Sequence, residues 1–187
     1  MTQSITTSVE EANNVKAEAD LLHSRADLEQ AIKRMAAEIS EQLAERVPVV
    51  ITLLKGGLVL SGQLLPQLDF PLQVDYVHAT RYRDKTQGGS VHWIARPSMP
   101  IKNRVVLLLD DIFDEGHTLA AIHDYCLATG AAEVQTAVLV NKIHGRKADL
   151  EVDYIGVTVE DRYVFGFGMD YKGYLRNANG IYAVKGQ

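Results

Sequence analysis

The chain has 187 residues, a length that suits one domain with a single core. Hydrophobic residues make up 47% and charged residues 23%, ordinary values for a soluble globular protein that exclude disordered, collagen-like and coiled-coil classes. With 24 acidic against 19 basic residues the formal charge is -5, so no global field draws the chain to nucleic acid or anionic lipid.

Met1 to Thr7 lacks the basic-then-apolar pattern of an export leader, and the longest apolar runs are too short for a bilayer, so neither export nor membrane insertion is expected. A weak apolar rhythm at Val9, Ala12, Val15, Ala19 and Leu22 suggests a short surface helix. Ser24 and Asp27 have the spacing of a capping pair, and Leu28, Ile32, Met35, Ile39 and Leu43 form one stripe of a helix that stops before Pro48. Val49 to Leu54 reads as a buried strand, Lys55-Gly56-Gly57 as a tight turn, and Leu58 to Leu68 as a helix. Leu72 to His78 and Val91 to Ala95 read as strands, separated by a polar stretch, Thr80 to Ser90, that suits a hairpin loop or a mobile lid. Val105 to Leu109 is a branched-apolar run of the kind buried on both faces of a parallel sheet. A helix from Thr118 to Ala128 follows, with Gly130 as its stop, then strands at Val134 to Val140, Tyr154 to Val159 and Ile181 to Val184. Cys126 is the only cysteine, which excludes an internal disulfide and fits a reducing compartment, so a cytoplasmic location is expected. Strands alternating with helices predict an α/β fold: a mainly parallel central sheet flanked by helices, with ligands at the carboxyl ends of its strands.

The chemistry concentrates in Val105-Val106-Leu107-Leu108-Leu109-Asp110-Asp111-Ile112-Phe113-Asp114-Glu115-Gly116-His117-Thr118-Leu119. A buried strand ends in two carboxylates, a loop carries a third, and Gly116 and Thr118 open a helix whose free N–H groups suit a phosphate. Too few glycines and no lysine before Ser or Thr exclude the nucleoside-triphosphate P-loop. Acids beside a phosphate nest suit a phosphorylated sugar.

This segment resembles the phosphoribosyl-pyrophosphate signature of the type I phosphoribosyltransferases. Leu54-Lys55-Gly56-Gly57 resembles the pyrophosphate loop of their hypoxanthine-guanine branch, and Val140-Asn141-Lys142 its purine-side lysine. Asp161 to Tyr171, with Tyr174-Leu175-Arg176, resembles its C-terminal hood. The resemblance runs from about Leu28 to the C-terminus. It implies one domain over 1–187, with a small hood from roughly 1–30 and 160–187 and a mobile lid at roughly 80–90 that carries Tyr82.

The resemblance further implies a role for each residue. Asp110 and Asp111 hold the ribose hydroxyls, directly or through magnesium; Asp114 is the general base near purine N7. The backbone of Glu115, Gly116, His117 and Thr118, with the Thr118 hydroxyl, cradles the 5-phosphate. Lys55 and Gly56 touch pyrophosphate through a peptide that is cis between Leu54 and Lys55. Tyr163 stacks on the purine, the Val164 backbone reads its edge, Asp170 binds magnesium and Arg176 meets the leaving pyrophosphate. Lys142 has only donors, so it pairs with a 6-oxo group and not with a 6-amino group. The implied activity is Mg2+-dependent salvage of hypoxanthine or guanine with phosphoribosyl pyrophosphate, in a homodimer or homotetramer with small-molecule partners only. A xanthine-preferring relative and a nucleotide-sensing regulator that binds RNA or DNA are the alternatives. Glu115, where the family has Thr or Ser, and Arg81, before the lid tyrosine, depart from the pattern. All six histidines, lacking metal-ligand spacing, are expected to be structural or exposed.

Overall fold

The computed structural model of the chain describes residues 8–81 and 91–186. Its main sheet has six strands: β2 (Val49–Leu54), β3 (Gln73–Arg81), β4 (Val91–Ala95), β5 (Val105–Phe113), β6 (Glu133–Ile143) and β7 (Tyr154–Glu160). Their order is β4-β3-β2-β5-β6-β7. All neighbours are parallel except β4, which runs antiparallel on the edge beside β3.

Helices α2 (Arg25–Leu43) and α3 (Leu58–Leu64) cover one face. There Leu28, Ile32, Met35, Ile39 and Leu43 meet Val50, Leu107, Leu109 and Leu139. Helix α4 (His117–Ala128) covers the other, where Leu119, Ile122 and Cys126 meet Ile51, Val106, Leu108 and Val138. The central strands are therefore apolar on both sides, which is why Val105 to Leu109 lacks alternation.

A second, three-stranded antiparallel sheet of order β1-β9-β8 joins the two ends of the chain: β1 (Asp20–Ser24), β8 (Val164–Phe165) and β9 (Gly180–Ala183). Helix α1 (Val9–Glu18) packs on it through Val15, beside Ala19, Phe165 and Tyr171. This sheet is the hood, and it stands over the end of the main sheet where β2 and β5 part.

Several elements differ from the sequence expectation. The N-terminal rhythm predicts one short helix, but its last part, including Leu22, is strand β1, held by pairing with β9. The helix after Gly57 ends at Leu64 and tightens into a 3-10 turn over Leu65–Gln67, because Pro66 lacks the N–H that would continue it. Strand β5 runs four residues beyond Leu109, since its ladder with β6 continues to Phe113 after its ladder with β2 stops at Leu109. The two-residue β8 carries too short a pattern to be seen in sequence.

Ser24 sits at the joint between hood and body, ending β1 and capping α2. Its Oγ accepts the Asp27 N–H at 3.3 Å, while Asp27 Oδ2 accepts the Ser24 N–H at 2.8 Å, completing a capping box. Ser24→Ala keeps the second bond and loses the first, so urea denaturation is expected to show about 1 kcal/mol of lost stability. An unchanged midpoint would mean that the hood, and not the cap, fixes the start of α2.

Candidate active site

Strand β2 lies at the centre of the sheet, with β3 following on one side and β5 on the other. The two connections leave in opposite directions, and a crevice opens between the carboxyl ends of β2 and β5. It is a cleft of about 770 Å³, and it gathers Lys55, Gly56, Asp110, Asp111, Asp114, Glu115, Gly116, His117, Thr118, Lys142, Tyr163, Val164, Asp170 and Arg176. Every site residue expected from sequence therefore lines one cavity, except Tyr82, which with most of the lid stretch lies outside the described residues.

The floor is acidic. Asp111 is buried and Asp110 half-buried at the point where β5 loses β2 as a neighbour. Burial pushes the Asp110 carboxyl well above its ordinary range, and the adjacent Asp111 carboxylate adds to the shift. Asp111 is raised too, first by burial, with Arg176 opposing. Close packing fixes this floor: a Cβ at Gly56 would collide with the Asp111 carboxylate, so only glycine lets the β2 turn approach. The peptide between Leu54 and Lys55 in that turn is cis.

Across the floor, Arg176 donates to the Gly168 carbonyl at 2.6 Å, pairs with Asp170 and lies 3.8 Å from Asp111. Asp170 also accepts the Gly173 N–H at 2.6 Å. Arg176 thus belongs to the cleft rather than to a surface ion pair.

On the third wall Gly116, at φ 73°, turns the chain into α4. The first turn of α4 has no side-chain cap, so its N–H groups stay directed to the cleft mouth with the positive end of the helix dipole. The Glu115 carbonyl accepts the Ala148 N–H at 2.8 Å, and the half-exposed Glu115 carboxylate lies 3.9 Å from His117.

The base of the fourth wall is a buried ammonium. Lys142 is only 7% exposed, and its Nζ donates to Asp114 Oδ2 at 2.8 Å with Asp161 at 3.9 Å. His144, which sequence reading set aside, lies against the same carboxylate with Nε2 2.7 Å from Asp114 Oδ1. Of the histidines expected to be structural or exposed, this one is held in a buried position against a cleft acid. Its distance of thirty positions from Asp114 hid the contact, which exists because β5 and β6 are parallel neighbours. Burial works to raise the Asp114 carboxyl, but Lys142 and His144 outweigh it and hold it below its ordinary value. Asp114, His144 and Asp161 bring donor atoms within 4.8 Å of one another, yet Lys142 already occupies that group as counter-charge.

Over this cleft hangs Tyr163, 40% exposed, its ring edge-on to the hood tyrosine Tyr171 at 5.6 Å. The Tyr171 hydroxyl donates to Glu11 of α1, so Tyr171 is hood packing.

A family model described as the phosphoribosyl transferase domain matches residues 18–172. The chain belongs to this family. It is 31% identical over 167 residues to a hypoxanthine-guanine phosphoribosyltransferase of Aquifex aeolicus, spanning 88% of this chain and 94% of that one. A hypoxanthine-guanine-xanthine phosphoribosyltransferase of Tritrichomonas foetus is 32% identical over 158 residues, 84% of this chain and 86% of the relative. The solved structure of a hypoxanthine phosphoribosyltransferase from Staphylococcus aureus superposes with a TM-score of 0.86 at 28% identity, covering 96% of each chain. In this phosphoribosyltransferase the acidic floor, the helix N-terminus and the buried lysine therefore share one cleft. No helix among the described residues is long and apolar enough to cross a membrane.

The acidic floor has a cost that stability measurements expose. The folded state keeps the Asp110 proton to higher pH than the unfolded state does, so stability falls as pH rises above the ordinary carboxylate range. Asp110→Asn removes that loss while its amide oxygen still accepts the Asp111 N–H. Calorimetry is expected to find the variant more heat-stable than the parent, by a margin wider at about pH 8 than at about pH 5. A margin that does not grow with pH would mean that Asp110 is ionised at no cost.

Proposed function

We infer that the chain is a purine-salvage transferase, converting hypoxanthine or guanine and 5-phosphoribosyl 1-pyrophosphate into IMP or GMP and pyrophosphate. The observation that carries the base side is the buried pair of Lys142 and Asp114, with Tyr163 in the same cleft. An ammonium offers three donors and no acceptor, so the ring position beside it must carry an acceptor. The 6-oxo group of hypoxanthine or guanine does; the amino group of adenine does not.

In the reaction the bond from the anomeric carbon to the pyrophosphate oxygen breaks and the bond to purine N9 forms, through a cation-like sugar. The N7 proton passes to Asp114, which the ammonium and imidazole keep ionised and ready to accept it. The N–H groups from Glu115 to Thr118 and the Thr118 hydroxyl hold the 5-phosphate. Lys55, the Gly56 backbone and Arg176 take the pyrophosphate, the Val164 backbone reads the purine edge and Tyr163 stacks on the ring.

The donor set fits magnesium. Asp110, Asp111 and Asp170 offer hard carboxylate oxygens in one cleft, and the raised Asp110 and Asp111 are groups a divalent cation would restore to the ionised form. Mg2+ held there would neutralise charge on the pyrophosphate. Arg176 now pairs with Asp170, and an incoming pyrophosphate would compete for that guanidinium.

The reading treats 1–187 as a single domain and includes self-association as a homodimer or homotetramer, for which exposed Val74, Tyr76 and Ile94 offer apolar surface. It places the enzyme in the cytoplasm, consistent with a lone, buried thiol. Turnover of xanthine is a second reading, favoured by the likeness to the Tritrichomonas foetus protein.

Initial rates with magnesium, phosphoribosyl pyrophosphate and each of hypoxanthine, guanine, xanthine and adenine test the reading. Turnover of the first two with little of adenine is expected; no turnover of any base would refute it. Asp114→Asn is expected to cut turnover about tenfold or more while leaving phosphoribosyl pyrophosphate binding within severalfold. Lys142→Ala is expected to narrow the preference for 6-oxopurines over adenine, and an intact preference would assign O6 to another group.

A further inference from the structure

His144 is two residues past Lys142 on the loop that leaves β6, and both side chains reach back to one carboxylate. Lys142 Nζ meets Asp114 Oδ2 at 2.8 Å and His144 Nε2 meets Oδ1 at 2.7 Å. The other imidazole nitrogen, Nδ1, accepts the Arg146 backbone N–H at 3.1 Å. A nitrogen that accepts a hydrogen bond carries no proton, so the proton of the neutral ring is on Nε2, and His144 is the donor to Asp114. With its side chain only 5% exposed, the ring is locked between a main-chain N–H and a carboxylate.

We propose that His144 is the positioning residue for the general base: by holding Oδ1 it presents Oδ2, beside the Lys142 ammonium, to the purine N7–H. The inference rests on Asp114 being the base. O6 and N7 are neighbours on one edge of a 6-oxopurine. Nζ and Oδ2 are neighbours at hydrogen-bond distance, an adjacent donor and acceptor that match that edge when N7 carries the proton. A purine that engages the ammonium weakens the one other side-chain bond that restrains Asp114 among the described residues. A carboxylate turns broadly about its last torsion, so without a second anchor Oδ2 would leave the N7 line as the base bound. Among the described residues His144 Nε2 has no other hydrogen-bond partner, so it keeps its bond to Oδ1. It stabilises the ionised carboxylate without adding a charge, whereas Lys142, Arg146 and Lys147 already crowd the site with cations, Asp161 facing the first two.

Glutamine places an amide N–H near the Nε2 position; leucine fills the space without a donor, and asparagine is too short to reach. Steady-state rates with hypoxanthine and guanine are compared for His144→Leu, His144→Gln, His144→Asn, Asp114→Asn and the Leu/Asn double variant, with circular dichroism as the folding control. His144→Leu is expected to lose about tenfold or more in kcat with the KM for phosphoribosyl pyrophosphate within about threefold. Glutamine is expected to restore most of that loss and asparagine not to. The double variant is expected to be no slower than Asp114→Asn alone, because His144 acts only through that carboxylate. Should the leucine variant fail to fold, the contrast between glutamine and asparagine decides. Unchanged kcat in the leucine variant, equal losses for glutamine and asparagine, or losses that multiply in the double variant would each overturn the proposal. Wild-type turnover by Asp114→Asn would instead overturn the reading of Asp114 as the base.

Discussion

A buried lysine is tolerable only beside an opposite charge, and in this chain that charge is Asp114. The Lys142 side chain is almost wholly enclosed, and taking an ammonium out of water is costly without a partner of opposite charge. The carboxylate that pairs with it stands on the loop after β5, while the lysine stands near the end of β6. The pair therefore clips together the carboxyl ends of two central strands in the wall of the cleft. His144 and Asp161 gather round it, and Arg146 turns to Asp161. Stability and chemistry meet in the same contact: what permits the lysine to be buried also holds the carboxylate ionised.

The second constraint is the parting of β2 from β5. Hydrogen bonding between them ends at Leu109, and β5 goes on alone with β6. Asp110 and Asp111 fall in the gap, where no neighbouring strand separates them from ligand. Close approach at Gly56 keeps the gap narrow, and the hood residues Tyr163, Asp170 and Arg176 close it from above. Burial that raises the Asp110 carboxyl is the energetic cost of this geometry. The hood itself is tied to the body through β1, whose last residue caps α2.

The body of the fold was legible because burial on both faces leaves plain signals. Val49 to Leu54 and Val105 to Leu109 are continuous apolar runs, and the stripe from Leu28 to Leu43 has helical period. The acid-loop-helix segment was legible as chemistry, since those residue types in that order serve few other purposes. What escaped notice depends on contacts distant in sequence. β1 is a strand only because β9 reaches it from the other end of the chain, and β8 has two residues. The contacts that draw Arg176 inward, to Asp170 and the Gly168 carbonyl, likewise carry no signal in sequence. His144 carried no motif at all. Its meaning comes from the parallel register of β5 and β6, which sets the loops after Phe113 and Ile143 side by side.

In the proposed function one edge of a 6-oxopurine is read by Lys142 and Asp114 together. The most direct measurement is a crystal structure of the protein with IMP, pyrophosphate and magnesium bound. Purine O6 is expected within hydrogen-bond distance of Lys142 Nζ, with N7 facing Asp114 Oδ2 and His144 still on Oδ1. A purine turned so that O6 and N7 meet other groups, with the Lys142 and Asp114 pair left closed upon itself, would contradict it.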